Sequence, residues 1–328
     1  MQTTTIKLTN PGVELKGYVL DPSKEMPNAQ IRPAVLIFPG GAYRACSERE
    51  GEPVAMAFLA EGYHAFTLKY SINEHAAFPK PLNDAEEALE LIRENSSGWG
   101  IDPDKIAVCG FSAGGHLAAA LGTMGRIRPN GLILGYPCIE DTISDILPAP
   151  VPGVDKKVDE RTPPAFIFHT FEDQLVPVKN ALAFANALDL ARIPFELHIF
   201  QRGTHGLSLA KPHTSGGLRS MAEPAVAQWF QLCTTWLKNI FGEFVADRDQ
   251  LWNENISEYS LDVQLGVLWK DEACRERIQE AIPAFREAPP QDALGIPLRL
   301  ILEYAPDLLT DEATITLDHE LKRIPLNF

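Results

Sequence analysis

The sequence predicts an α/β fold, a mainly parallel sheet with helices on both faces, followed by a small all-helical C-terminal appendage. Three observations carry this. Short apolar runs alternate with helical patterns through the first three-quarters of the chain. Each run is bounded by Gly, Pro or charged turn residues. From about Gly242 the strand-like runs stop and helical spacing remains. The expected division is therefore an α/β domain over 1–241 and a helical appendage over 242–328. The chain has 328 residues, 45% of them apolar, enough for one large core and a small one.

Taken in order, Thr4–Leu8 and Glu14–Leu20 read as extra antiparallel edge strands. The main strand candidates are Val35–Phe38, His64–Leu68, Ile106–Cys109, Leu132–Leu134, Phe166–Phe168 and Phe195–Phe200. Helix candidates lie between them at Pro53–Ala60, Pro81–Glu94, Ala113–Met124, Val178–Ala191 and Ala225–Phe241. Gly62 and Gly100 stand where C-terminal caps are expected. Strands alternating with helices argue for a parallel sheet covered on both faces. Between Pro137 and Pro164 the pattern breaks. Pro148, Pro150, Pro152, Pro163 and Pro164 exclude long regular elements there, leaving a surface loop or part of a lid. In the tail, Leu261, Leu265, Leu268 and Trp269 follow helical spacing. Further helices are expected at Ala273–Glu287, Pro297–Tyr304 and Asp311–Arg323, with Thr310 as an N-cap. No internal repeat or low-complexity tract is expected.

The formal net charge of −15 repels phosphate backbones and anionic membrane surfaces, which argues against nucleic-acid and membrane partners. No apolar run approaches the ~18 residues of a membrane span. The N-terminus lacks a basic segment followed by an apolar one, so no secretory signal is expected. Five scattered cysteines, an odd number, suit reduced thiols. The expected location is cytoplasmic; the oligomeric state is left open.

The chemistry is written in three places. Gly110-Phe111-Ser112-Ala113-Gly114 matches G-x-S-x-G. The apolar strand ending at Cys109 runs into it and an Ala/Leu-rich helix runs out. A serine on such a turn is forced out of the sheet, and the helix N-terminus behind it favours a nearby oxyanion. Gly110 and Gly115 are also spaced like a phosphate loop, but His116 stands where the lysine belongs. A hydroxyl nucleophile needs a base, and the base an orienting carboxylate. His205, in Gly203-Thr204-His205-Gly206 just past the last strand, is the expected base. Asp173 follows the strand Phe166–Thr170, where open α/β sheets place their chemistry, and is the expected acid. Glu140 and Asp141 compete with it. The first long strand ends in Pro39-Gly40-Gly41-Ala42-Tyr43, where small side chains let backbone approach substrate. The N–H groups of Gly41 or Ala42, with that of Ala113, are the expected oxyanion donors.

The loop Pro39–Tyr43 resembles the Gly-rich oxyanion loop of the bacterial acetyl-esterase/lipase group of α/β-hydrolases, which includes acetyl xylan esterase-like and feruloyl-esterase-like proteins. The segments Glu50–Ala55, Leu68–Tyr70, Pro81–Ala85, Trp99–Pro103, Gly110–Leu117 and Thr162–Pro164, with Asp173 and Thr204–Gly206, extend the likeness over three-quarters of the chain. Related lipases often begin the loop with His and carry a third glycine, where Pro39 and Ala42 stand here. The resemblance implies an α/β-hydrolase fold and a serine esterase for small acyl groups, acetyl above all, with an acetylated sugar as a suggested substrate. No metal or organic cofactor is implied: there is no H-E-x-x-H, no CxxC pair and no dinucleotide fingerprint. The alternatives are a peptidase of the prolyl-oligopeptidase type and an inert hydrolase-fold interaction protein. Cys46 near the oxyanion loop is read as a small buried group, and Trp99, Trp229 and Trp236 as core.

Overall fold

The computed structural model describes residues 1–23, 25–142, 147, 149–244 and 256–326. Pro148, which marks the break in pattern, lies outside them. The chain forms two compact units, Met1–Phe244 and Val245–Phe328.

The first unit is built on eight strands: β1 (Gln2–Lys7), β2 (Glu14–Val19), β3 (Arg32–Phe38), β4 (His64–Lys69), β5 (Ile101–Phe111), β6 (Gly131–Gly135), β7 (Ala165–Thr170) and β8 (Phe195–Phe200). Their order in the sheet is β1-β2-β4-β3-β5-β6-β7-β8. β1 pairs antiparallel with β2 and β2 with β4, while β4, β3, β5, β6, β7 and β8 run parallel. The apolar run of β3 serves two cores at once, because successive side chains leave opposite faces. Leu36 and Phe38 join one core with Leu117 and Phe184. Val35 and Ile37 join the other with Phe58 and Trp229.

The helices of this unit are α1 (Glu52–Ala60), α2 (Lys80–Glu94), α3 (Ser96–Trp99), α4 (Ala113–Met124), α5 (Lys179–Leu190) and α6 (Trp229–Phe241). α2, α4 and α5 feed the first core, α1 and α6 the second. In α2, Leu82, Ala85, Ala88, Leu89 and Ile92 fall on one stripe and are all buried. Two features differ from expectation. β5 is longer than Ile106–Cys109, because its start at Ile101 pairs with Arg32 across a register shift. Residues 226–228 of the expected last helix form a 3-10 turn before α6. Trp229 stacks on Phe168 at 4.4 Å and is buried, as is Trp236, whereas Trp99 lies on Phe66 at the edge of the core and is only partly buried. Phe244 closes the unit with its ring against the guanidinium of Arg32.

The second unit contains α7 (Leu265–Lys270), α8 (Glu272–Ala281), α9 (Leu298–Tyr304) and α10 (Asp311–Leu321) around Leu265, Leu268, Ile278, Leu298, Leu317 and Leu321. α8 stops at Ala281, short of the expected Glu287, because Pro283 cannot continue a helix. One antiparallel bridge joins the segment before α7 to the segment before α9. Leu265 N–H donates to Ile296 O and Leu298 N–H to Val263 O, a reciprocal pair around the bridge Gln264–Pro297. Asp271 caps α8 by accepting the Cys274 amide, and Thr310 caps α10 by accepting the Ala313 amide. Three 3-10 turns, Pro283–Phe285, Gln291–Ala293 and Pro306–Leu308, connect these helices. No helix is long and apolar enough to cross a membrane among the described residues.

Candidate active site

The elbow comes first. Ser112 has φ 53° and ψ −118°, a strained conformation for a residue with a side chain. Its N–H donates to Gly135 O, and its own carbonyl accepts from His116 and Cys138. Such a turn leaves no room beside it. A Cβ on Gly110 would sit 2.1 Å from Gly114 O, and one on Gly114 2.1 Å from Phe38 O. The two glycines of the motif thus let β5, β3 and α4 converge beneath the serine.

His205 and Asp173 reach the same point from the ends of β8 and β7. Nε2 of His205 lies 2.8 Å from Oγ of Ser112, and Nδ1 lies 2.6 Å from Oδ2 of Asp173. Oδ1 of Asp173 accepts the N–H groups of Leu175 and Val176, both at 2.9 Å. Burial pushes the Asp173 carboxyl up, but the His205 hydrogen bond and charge and the two amides outweigh it, and the net shift is down. Thr170 Oγ1 donates to Gly203 O at 2.9 Å, tying β7 to the histidine loop. The competing carboxylates are turned elsewhere: Glu140 pairs with Lys179 and Asp141 with Lys156.

The loop after β3 carries the expected oxyanion donors. Gly41 has φ 139°, and its carbonyl accepts from Arg44 and Ala45. Ala42 and Tyr43 follow at φ 53° and 56°, two left-handed non-glycine residues in succession. Such strain persists only where surroundings impose it. Here Tyr70 O–H donates to Pro39 O at 2.6 Å and Tyr43 O–H meets His116 Nδ1 at 2.9 Å. Gly41 and Ala42 line a cavity of about 260 Å³ together with Ser112 and His205. Ala113, the first residue of α4, has an N–H with no acceptor inside the helix.

Arg49, Glu50, Tyr136 and Cys138 at this site escaped the sequence reading as individuals. Glu50 and Arg49 line the same cavity, and Tyr136 packs edge-on against His205, ring centroids 5.1 Å apart. The segment Glu50–Ala55 carries two carboxylates, Glu50 and Glu52, and nothing in the order of residues marks Glu50 as the buried one. Cys138 is the thiol beside the serine, its Sγ 4.0 Å from Oγ; burial pushes it up to about 12. Burial likewise pushes Cys46 up to about 11, leaving it an unreactive thiol.

A mostly parallel eight-stranded sheet with a serine on the elbow after β5 defines the class of protein: an α/β hydrolase. Comparisons agree. The BD-FAE family model matches residues 21–148 and the prolyl oligopeptidase family model residues 149–242. The chain is 37% identical over 232 residues to endo-1,4-beta-xylanase B of Butyrivibrio fibrisolvens, covering 60% of this chain and 36% of that one. It is 30% identical to an acetylxylan esterase of Xylanibacter ruminicola, covering 53% and 40% respectively. Among solved structures, MGS-M1, an alpha/beta hydrolase enzyme from a Medee basin deep-sea metagenome library, matches with a TM-score of 0.70 at 49% identity, covering 73% of this chain and 98% of that one. The chain spans less than half the length of these two curated relatives. It belongs to the α/β-hydrolase superfamily, in the acetyl-esterase-like group.

Proposed function

We propose that the chain is a serine carboxylesterase for small acyl esters, acetyl in the first place, with carbohydrate esters as natural substrates. The observation that carries the proposal is the continuous hydrogen-bonded line Ser112 Oγ, His205, Asp173 opening on the Gly41–Ala42 loop. His205 takes the Ser112 proton as Oγ attacks the ester carbonyl, forming the C–O bond and an oxyanion facing the N–H groups of Gly41, Ala42 and Ala113. Collapse expels the alcohol, which receives the proton from His205. Water, deprotonated by His205, then attacks the acyl-serine and releases the acid. Asp173 fixes the imidazole tautomer and balances its charge.

The lining of the cavity supports a small acyl group. Cys138, Leu147, Leu175 and Val176 line the cavity around Ser112, and its volume of about 260 Å³ suits a short chain. The name of the acetylxylan esterase relative points the same way. All five cysteines are free thiols, which supports a reducing, cytoplasmic setting.

The test is hydrolysis of p-nitrophenyl esters of rising chain length and of acetylated xylo-oligosaccharides. Acetate is expected to be turned over fastest, and Ser112→Ala to lower the rate at least about 10³-fold. A Ser112→Ala rate within a few-fold of wild type refutes the serine mechanism. The match of residues 149–242 to the prolyl oligopeptidase family favours a second reading, a peptidase. Cleavage of aminoacyl-proline amides without cleavage of simple esters selects it.

A further inference from the structure

Glu50 ends the 3-10 turn Glu48–Glu50 and is only 2% exposed. A buried carboxylate is costly unless its oxygens accept hydrogen bonds. Each oxygen of Glu50 accepts one, and the two lead to different loops. Oε2 accepts the N–H of Gly40 at 2.7 Å, directly before Gly41 and Ala42. Oε1 accepts the hydroxyl of Tyr136 at 2.6 Å, and the Tyr136 oxygen accepts the N–H of Ser208 at 2.9 Å, just beyond His205. The fit is tight, since a Cβ on Gly40 would lie 2.8 Å from Oε2. Arg49 strengthens the same junction by donating to Gly206 O at 2.9 Å and Thr214 O at 3.2 Å.

We propose that Glu50, acting with Tyr136, is a positioning residue that locks the oxyanion loop and the histidine loop into one register around Ser112. The inference rests on the ester-hydrolase reading. Oxyanion donors act only when they lie about 3 Å from the oxygen of the transition state, and a 1 Å misplacement costs about 10²-fold. A single carboxylate holding both loops sets the distance between the donors and the base. A buried Glu that served stability alone gives a different pattern: it shifts melting and leaves the folded enzyme's kcat alone.

The experiment compares Glu50→Gln, Glu50→Ala, Tyr136→Phe and the double variant Glu50→Gln/Tyr136→Phe. Glu52→Ala is the control, because Glu52 pairs with Lys16 and Tyr18, away from the cavity lining. Three quantities are read: p-nitrophenyl acetate kinetics, inhibition by phenylboronic acid, which forms a tetrahedral adduct on serine, and melting temperature. For Glu50→Gln and Tyr136→Phe, kcat is expected to fall about 10- to 100-fold with KM within about threefold. Boronate affinity falls in parallel, because the adduct needs the same donors. Glu50→Gln retains more activity than Glu50→Ala, since its amide oxygen still accepts from Gly40. The double variant is little worse than the poorer single one, as expected of one chain of contacts. Glu52→Ala matches wild type.

Wild-type kcat and boronate affinity in both Glu50→Gln and Tyr136→Phe overturn the proposal. So does a loss that vanishes when the variants are assayed well below their melting temperatures. If the Glu50 variants do not fold, Tyr136→Phe, which keeps the ring, decides alone. Failure of the underlying reading looks different: Ser112→Ala then matches wild type. If no ester tested is turned over, the rate of fluorophosphonate labelling at Ser112 is the readout, with the same slowing expected in the variants.

Discussion

Oδ2 of Asp173 lies 2.6 Å from Nδ1 of His205, while Oδ1 is held by the amides of Leu175 and Val176. The carboxylate therefore cannot rotate away without breaking two further bonds. Asp173→Asn keeps the shape but can turn an N–H₂ toward Nδ1. The expected result is a fall in kcat on p-nitrophenyl acetate of about 10³- to 10⁴-fold. Activity above a tenth of wild type removes Asp173 from the role of orienting carboxylate.

The pH dependence of stability follows from two other histidines. His116 accepts from Tyr43 at Nδ1 and donates to Pro152 O from Nε2. His64 accepts from the Leu20 amide and donates to Gly100 O. Both are thus neutral in the native state, and burial lowers each from 6.5 to about 4. Between those values the unfolded chain binds protons that the native one does not, so stability falls as pH drops from 6.5 toward 4. His116 alone accounts for about 3 kcal/mol at the lower end. Asp173 has the depressed carboxyl, so its contribution is present above about 4 and lost as pH falls through its lower native value. Urea midpoints measured from pH 8 to 4 should drop below pH 6.5, and His116→Gln should shrink that drop. A midpoint flat across this range contradicts the assignment of neutral, buried histidines.

Glycines with and without neighbours should respond oppositely to alanine. Gly110→Ala forces a Cβ to 2.1 Å from Gly114 O, and relief requires the elbow to move. We expect a loss of about 3 kcal/mol or more, and little activity in any folded fraction. Gly98, inside α3, has nothing within 4 Å of its added Cβ, so Gly98→Ala should stabilise by about 0.5 kcal/mol. Thermal unfolding of both variants checks the pair.

Truncation after Phe244 tests whether the second unit takes part in the reaction. The first unit holds the whole sheet, both of its cores and every residue of the candidate site. We expect kcat/KM on p-nitrophenyl acetate within about twofold of the full chain, since none of those contacts is removed. The cut belongs after Phe244, because that ring packs against Arg32. A tenfold loss of kcat in a well-folded truncated chain assigns the second unit a part in catalysis.

Much of this site is legible in order along the chain. Ser112 stands between an apolar strand and an Ala-rich helix, and Asp173 and His205 stand just past strands. Local chemistry marks such places: small residues at a tight turn, polar groups at a strand's C-terminal end. The inner parallel strands are legible for a similar reason, since burial on both faces leaves unbroken apolar runs such as Val35–Phe38, whereas the edge strand β8 is only partly buried and carries Glu196 and His198. Helix ends were less so: α8 ends at Ala281 because of Pro283, against the apparent periodicity to Glu287.

The sequence by itself determined the alternation of elements, the elbow at Ser112 and the places from which a base and an acid could come. Only the tertiary structure decided which carboxylate faces His205, and that Glu50 and Tyr136 join two loops far apart in the chain. The physical reason is range. Propensity and periodicity act over a few residues, whereas a hydrogen bond between Tyr136 and Glu50 exists only after the parallel strands have aligned and brought their C-terminal ends to one rim.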